Sequence, residues 1–227
     1  MPNWLVSRVF DNTNPQSIAS MLRVRRIQPL IRLLEEIHAA HGHVRLLDIG
    51  GTVDYWKIVP RRTLEELGVR ITIANPWVSA TATSDALFNL VEADGCDLSR
   101  YGDREFHVAH SNSVLEHVGG RERMKMFASD VRRVAQRHFV QTPNFWFPVE
   151  PHAMLPFIHW LPYRLRIALV QKFALGHWPR QPGREEAQIL LSENDLLNKR
   201  DFTRLFPESE IRVERFLGLP KSLLAIG

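Results

Sequence analysis

The stretch Val44–Trp56, VRLLDIGGTVDYW, decides how the rest of the chain is read. Its apolar run, Val44, Leu46, Leu47 and Ile49, stops at Gly50-Gly51 and passes into residues able to open a helix. That is the pattern of a buried strand, a tight turn and a helix start. The two glycines admit positive φ and carry no Cβ, so a bound molecule can come close to the backbone. Asp48 is an acid where an apolar strand runs out, so it has to be paired, turned to a ligand or built into the turn. Strand, turn and helix together make a ligand cradle.

Upstream of the cradle, residues 1–14 read as an irregular arm. From Pro15 to about Ala40 the apolar positions Ile18, Met21, Leu22, Ile27, Leu30, Ile31, Leu34 and Ile37 recur at three and four, giving an amphipathic helix. Pro29 marks a kink or a break in it, and Gly42 closes it. His38, His41 and His43 have a spacing a metal could use, but no acid or cysteine stands beside them, so they read as a polar helix end. No metal site is expected.

Downstream the chain alternates. Val59 to Leu67 reads as a first crossover helix ending at Gly68, and Val69 to Ala74 as a second strand running into Asn75-Pro76. Trp77 to Asp85 is a polar loop of small residues. Phe88 to Ala93 is a third strand leading to Asp94-Gly95, and Glu105 to Ala109 a fourth, ending at His110-Ser111-Asn112-Ser113. A helix then runs from Leu115 to about Val134, interrupted at Gly119-Gly120, and His138 to Gln141 is a fifth strand. The strand ends at 49, 75, 94, 110 and 142 fall on one edge of a parallel sheet, the edge where open α/β sheets bind ligands. Asp94 before Gly95 reads either as a turn builder or as an acceptor for an exocyclic amine.

Residues 143–185 break the alternation with Phe145, Trp146, Phe147, Pro148, Pro151, Phe157, Trp160, Pro162 and Tyr163. This composition suits a stiff apolar lid beside the site, or an inserted helical pair that adds core. Ser192 or Asn194 caps a helix to about Phe206, and Ile211–Leu217 with Ser222–Ile226 make a closing hairpin.

With 227 residues, 44% of them hydrophobic, the chain has enough apolar material for one sizeable core. We read residues 1–43 as an N-terminal helical extension and 44–227 as the main domain, with the insertion at 143–185. The lone Cys96 excludes a disulfide framework, fits a reducing cytoplasmic compartment and reads as a small buried residue. The net charge of +4 comes from arginines dispersed along the chain, and Arg23, Arg25 and Arg26 read as a solvated helix face, so no nucleic acid partner is expected. The first residues lack the basic start and apolar core of a signal peptide. Ala153 to Leu175 is too interrupted by prolines, His159 and arginines to span a bilayer, though it is able to lie on one. The oligomeric state is open, with a homodimer among the possibilities.

The ordered motifs resemble those of the class I S-adenosylmethionine-dependent methyltransferases. VRLLDIGG is similar to the first motif, which cradles the methionine part of the cofactor. ITIANP is similar to the acidic second-strand motif, VEADGCDL to the adenine-contacting motif, and HSNSVLEHV to the fourth-strand motif facing methionine and substrate. The resemblance implies an α/β, Rossmann-like, seven-stranded and mostly parallel sheet with helices on both faces. It implies S-adenosyl-L-methionine held by Asp48, Gly50, Gly51, Thr52, Asn75, Asp94, Gly95, His110, Ser111 and Asn112. Two positions depart from the pattern: Thr52 stands where a further glycine is usual, and Asn75 where an acid usually meets the ribose.

Such an enzyme acts on a small-molecule acceptor, here expected to be methylated on oxygen. Deprotonating an alcohol calls for a base with a pKa near neutrality. His110, His152 and Glu150 are the candidates, whereas His117 resembles a position that packs structurally. The aromatic segment suggests an acceptor with apolar or ring-like faces, a sugar, a polyketide or a lipid-linked intermediate. TPNFWFPVEPH is similar to a segment of bacterial methyltransferases of surface polysaccharide or secondary metabolism. The alternatives are a noncatalytic cofactor-binding or regulatory module, and a nicotinamide oxidoreductase, which would want a fuller G-x-G-x-x-G turn and a charge after the second strand.

Overall fold

The computed structural model describes residues 18–77 and 85–227, with backbone alone for 18–22. The expected arm, the start of the first helix and most of the loop after Trp77 lie outside the described residues. The helices are α1 (Ile18–His41), α2 (Arg61–Glu66), α3 (Arg121–Val134), α4 (Tyr163–Lys172), α5 (Arg184–Ser192) and α6 (Lys199–Leu205). The strands are β1 (Val44–Ile49), β2 (Val69–Asn75), β3 (Phe88–Glu92), β4 (Phe106–Asn112), β5 (Ala135–Pro143), the short pair β6 (Val149–Glu150) and β7 (Leu155–Pro156), β8 (Glu210–Phe216) and β9 (Leu219–Ile226).

Seven strands form one sheet in the order β3-β2-β1-β4-β5-β9-β8. The first five are parallel, and only β9 runs against its neighbours β5 and β8. The reversal follows from the local chain. Leu217 and Gly218 take φ of 50° and 80°, so β8 turns into β9 through a tight hairpin with no crossover helix.

Period-two alternation sorts the sheet's side chains between two layers. Leu46, Ile71, Val108 and Phe139 pack against Ile27, Leu30 and Leu34 of α1, together with Trp56 and Leu64. Leu47, Ala109 and Val140 face the other way, onto Phe127 and Val131 of α3 and Phe202 of α6. Each fully buried side chain of this size contributes about 1.5–3 kcal/mol. The helix read as an N-terminal extension is thus one of the two covering layers, and it continues through Pro29 as a single element.

The loops at the sheet's carboxyl edge are tighter than the sequence suggested. After β1 the chain makes a 3₁₀ turn, Tyr55–Ile58, and Pro60 separates it from α2. After β4 it makes one 3₁₀ turn, Leu115–His117. Gly119 and Gly120, at φ of 94° and 99°, then end that turn before α3 starts at Arg121. The cap of α6 is Asn198, whose side chain accepts from Asp201 N–H at 3.0 Å, in place of the expected Ser192 or Asn194.

The aromatic insertion folds on itself. Ala153, Ile158, Ile167, Val170, Trp178, Ala187 and Leu191 form a small core joining α4, α5 and the β6–β7 hairpin, the helical pair that the sequence allowed. Trp146, Phe157, Trp160 and Phe173 stay on its outside. No described helix is long and apolar enough to cross a membrane.

Candidate functional site

Gly50 takes φ of 74° and donates its N–H to Ala74 O at 2.8 Å, closing the turn after β1 against β2. A Cβ there would lie 2.5 Å from Val114 Cγ2, and one on Gly51 would lie 1.7 Å from Asp48 Oδ2. The chain's own packing therefore demands both glycines before any ligand is considered.

Asp48 is fully buried, and both of its oxygens are occupied. Oδ2 accepts from Trp56 Nε1 and Oδ1 from His110 Nδ1, each at 2.7 Å. Strand register makes the second contact: Asp48 of β1 sits opposite His110 of β4. Because a carboxylate only accepts, His110 carries its proton on Nδ1 and leaves Nε2 basic. That nitrogen lies 3.4 Å from the Tyr55 hydroxyl. Burial pushes the Tyr55 phenol well up, with Arg26 opposing and Asp48 adding, so Tyr55 remains a donor at neutral pH. The His110 ring is enclosed by Trp56 and Phe139, with centroids at 5.2 and 6.0 Å.

This chain of groups lies along a cleft of about 730 Å³ at the sheet's carboxyl edge, lined in part by Gly50, Gly51, Thr52, Tyr55, His110, Asn112, Ser113 and Arg23. Ligand pockets span roughly 300–1,000 Å³. Arg23 has no carboxylate partner among the described residues. Burial, then the neighbouring Arg26, lowers its pKa. Arg26 is held as a fork, with Nε and Nη2 on Glu214 at 3.1 and 2.7 Å and Nη1 on Asn112 Oδ1 at 3.0 Å. Ser113 lines the cleft at φ of 56° and donates to Gln141 Oε1 at 2.9 Å. Thr52 is exposed at the rim, and its hydroxyl accepts from Tyr55 N–H at 3.2 Å.

The other predicted cofactor residues are placed differently. Asn75 donates its amide to Gly51 O at 2.9 Å, bracing the turn. Asp94 accepts from Cys96 N–H and from Arg123 Nη2 at 2.6 Å. Burial opposes its ionisation, but these donors hold the carboxyl below its ordinary range. Gly95 packs where a Cβ would lie 2.7 Å from Ile49 and 2.9 Å from Phe127. Ser111 is fully buried and donates to Ile49 O at 3.0 Å. None of these four lines the cleft. Cys96 is buried and its thiol is pushed up to about 11, chiefly by burial, which makes it inert.

His152 and Glu150 belong to a second group, outside the cleft's lining. The fully buried Glu150 closes its own turn, accepting from His152 N–H at 2.8 Å, from Ala153 N–H, and from His152 Nδ1 at 2.7 Å. His152 meets His117 edge-on, with centroids 4.5 Å apart. Beside them Glu116 is wholly buried, and burial pushes its carboxyl up to about 7 despite a hydrogen bond from Thr142. Of the three histidines read as a helix end, His38 bonds Leu67 O, while His41 and His43 cluster with His107.

Arg23 and Arg26, expected on a solvated helix face, instead line the cleft and lie largely buried against Glu214, respectively; Tyr55, Trp56 and Ser113 were not named as site residues from the sequence. The one available signal was the Tyr55-Trp56 pair, two aromatics separated from the glycine turn by Thr52, Val53 and Asp54.

No family model matches the chain, and no curated protein matches it. Solved structures do. A SAM-dependent methyltransferase from Archaeoglobus fulgidus superposes with a TM-score of 0.57 at 12% identity, covering 100% of this chain and 99% of that one. An S-adenosylmethionine-dependent methyltransferase from Mesorhizobium loti gives 0.53 at 15% identity, over 88% of this chain and 96% of that one. One from Methanosarcina mazei gives 0.51 at 15% identity, over 84% and 95%. At these identities the likeness is one of fold. The chain therefore has the seven-stranded α/β fold of the S-adenosylmethionine-dependent methyltransferases.

Proposed function

We propose that the protein is an S-adenosylmethionine-dependent methyltransferase that methylates a hydroxyl group of a small molecule, with the cofactor held in the cleft beside Gly50 and Gly51. The observation that carries this is the Asp48–His110–Tyr55 chain of hydrogen-bonding groups along a cleft at the edge where such sheets bind ligands. The cleft's residues fit the methionine half of the cofactor. Arg23 is a cation without a carboxylate partner among the described residues, and the aromatic faces of Tyr55 and His110 suit a sulfonium. The cofactor, when bound, supplies a methyl group activated on positively charged sulfur.

The protein's part is to place the acceptor and take its proton. Asp48 fixes the His110 tautomer and stabilises the imidazolium that forms. Tyr55 receives the acceptor's hydroxyl proton as it hands its own to His110 Nε2, so the phenol is restored and the charge rests beside Asp48. Positioning and proton transfer of this kind contribute about 10²–10⁴ in rate. The acceptor class, a molecule with apolar or ring-like faces, rests on the aromatic insertion. Peripheral contact with a lipid surface through residues 153–175 belongs to the same proposal, motivated by exposed Phe157, Trp160, Tyr163, Leu165 and Phe173.

Calorimetry with S-adenosylmethionine and its demethylated product, followed by transfer of labelled methyl to a panel of hydroxylated acceptors, tests the reading. His110→Ala should keep product affinity within a few-fold and lose about 10²–10⁴ in turnover. Absence of cofactor binding overturns the proposal. A second reading, a module that binds the cofactor without turnover, is favoured by the Asn75 amide nitrogen and the Asp94 carboxylate, which are engaged within the chain. Binding without transfer to any acceptor would select it.

A further inference from the structure

Glu116 comes from the 3₁₀ turn after β4 and is fully buried. One of its carboxylate oxygens accepts from Thr142 Oγ1 at 2.8 Å, and the other, Oε1, has no hydrogen-bond partner among the described residues. A buried acceptor left without a donor is costly, the more so where the group is charged. Two imidazoles stand beside it. Glu116, His117 and His152 each bring one donor atom to within 4.8 Å of the others.

Both rings have the same nitrogen engaged. His117 donates Nδ1–H to Glu193 O at 2.6 Å, and His152 donates Nδ1–H to Glu150 Oε1 at 2.7 Å. Each ring is left with Nε2 unprotonated and free to accept. Histidines that ligate a metal almost always give their other ring N–H to a carboxylate or a carbonyl, which fixes the tautomer and makes the ligating nitrogen more basic. Both partners are in place here. Glu150 is itself locked by the backbone N–H groups of His152 and Ala153, so the ring it orients cannot swing freely.

We propose that Glu116, His117 and His152 form a zinc site, with one carboxylate oxygen and two Nε2 atoms as ligands and a fourth position open to solvent. Imidazole with carboxylate suits zinc, whereas magnesium and calcium favour all-oxygen sets. Ligands of a tetrahedral zinc stand roughly 3.4 Å apart for bonds of about 2.0–2.1 Å. The donors, within 4.8 Å of one another, therefore draw together by up to about 1.4 Å on loading, with most of the movement expected of His117 on the exposed side. Glu150 is a positioning residue for His152. The other histidine cluster is a poorer host: His41 and His107 stack face to face at 11° between planes, and His107 Nδ1 accepts from Arg45 N–H.

The test uses the full chain stripped with a chelator and titrated with zinc chloride, with cobalt(II) as a spectroscopic probe. We expect one equivalent bound with a Kd below about 1 µM and a saturable cobalt d–d absorption. His117→Ala and His152→Ala should each weaken zinc by at least about 100-fold and abolish the cobalt band, and Glu150→Gln should weaken it about 10–100-fold. His43→Ala should change nothing. Circular dichroism and a melting curve establish that each variant is folded. A wild-type chain with no saturable cobalt band overturns the proposal without recourse to variants. So does zinc binding that survives His152→Ala and His117→Ala, or is lost in His43→Ala.

Discussion

Two carboxylate–histidine pairs flank the turn that follows β4, each with 2.7 Å between the carboxylate oxygen and Nδ1, and they are built for different ends. Asp48 and His110 lie on paired strands at the sheet's centre, no more than 1% exposed, and Trp56 takes the remaining oxygen. Glu150 and His152 lie two residues apart in a turn, where the carboxylate is buried but the imidazole side chain keeps 19% of its surface exposed. In the first pair rigidity comes from neighbouring strands, so the free nitrogen is aimed along the cleft. In the second it comes from a local turn, and the ring stands beside His117 and Glu116. The same two groups are proposed to handle a proton in one place and to ligate a metal in the other, and the burial of the imidazole makes the difference.

The pair in the sheet is most exposed to disruption at Asp48. Asp48→Ala leaves the Trp56 and His110 donors buried without an acceptor, and denaturant unfolding should show a loss of about 3–5 kcal/mol. Next comes a histidine with no carboxylate partner. His138 donates to or accepts from Ser209 Oγ at 2.7 Å, and burial, with Arg132 and Arg137 adding, holds its pKa down at about 4. Its folded pKa is below the unfolded value of about 6.5, so the unfolded chain takes up the proton first. Stability from this site is intact above about pH 6.5, falls as the pH drops toward 4, and levels off below that, for a total of roughly 3 kcal/mol. His138→Gln should remove that slope from a series of melts.

Gly51→Ala places a methyl group on the Asp48 carboxylate, and a loss of about 2–3 kcal/mol is expected from the same unfolding assay. Glu150→Gln sets an amide N–H₂ against one of three donors and should cost about 1–2 kcal/mol, sharpening the contrast with Asp48→Ala. The smallest effect on stability belongs to Tyr55→Phe. Its hydroxyl is 3.4 Å from His110 Nε2, so unfolding should shift by less than about 1 kcal/mol, while methyl transfer falls about tenfold or more.

Local patterns carried much of the fold. VRLLDIGG announces its strand and turn because apolar runs and glycine pairs are short-range signals, and Gly218 does the same for the closing hairpin. The sheet's ligand edge followed from where five strands stop. What stayed hidden was partnership at long range. Nothing near Asp48 indicates that His110, 62 residues on, and Trp56 share its oxygens. That Asn75 and Asp94 have partners within the chain, Gly51 O and Arg123, appears only once it is folded. Glu116 reads as the polar part of a helix start, and its burial appears only once Thr142 and the 150–153 turn close around it.

Arg26 bridges the first described helix to Glu214 on the last hairpin, 188 residues further on, while touching Asn112 at the cleft's floor. On the ribosome this clamp cannot close until β8 has emerged, so the cleft wall bearing Arg23 stays unlatched until then. A nascent chain halted before that point would carry the five parallel strands β1 to β5 and yet present an unfinished cleft wall.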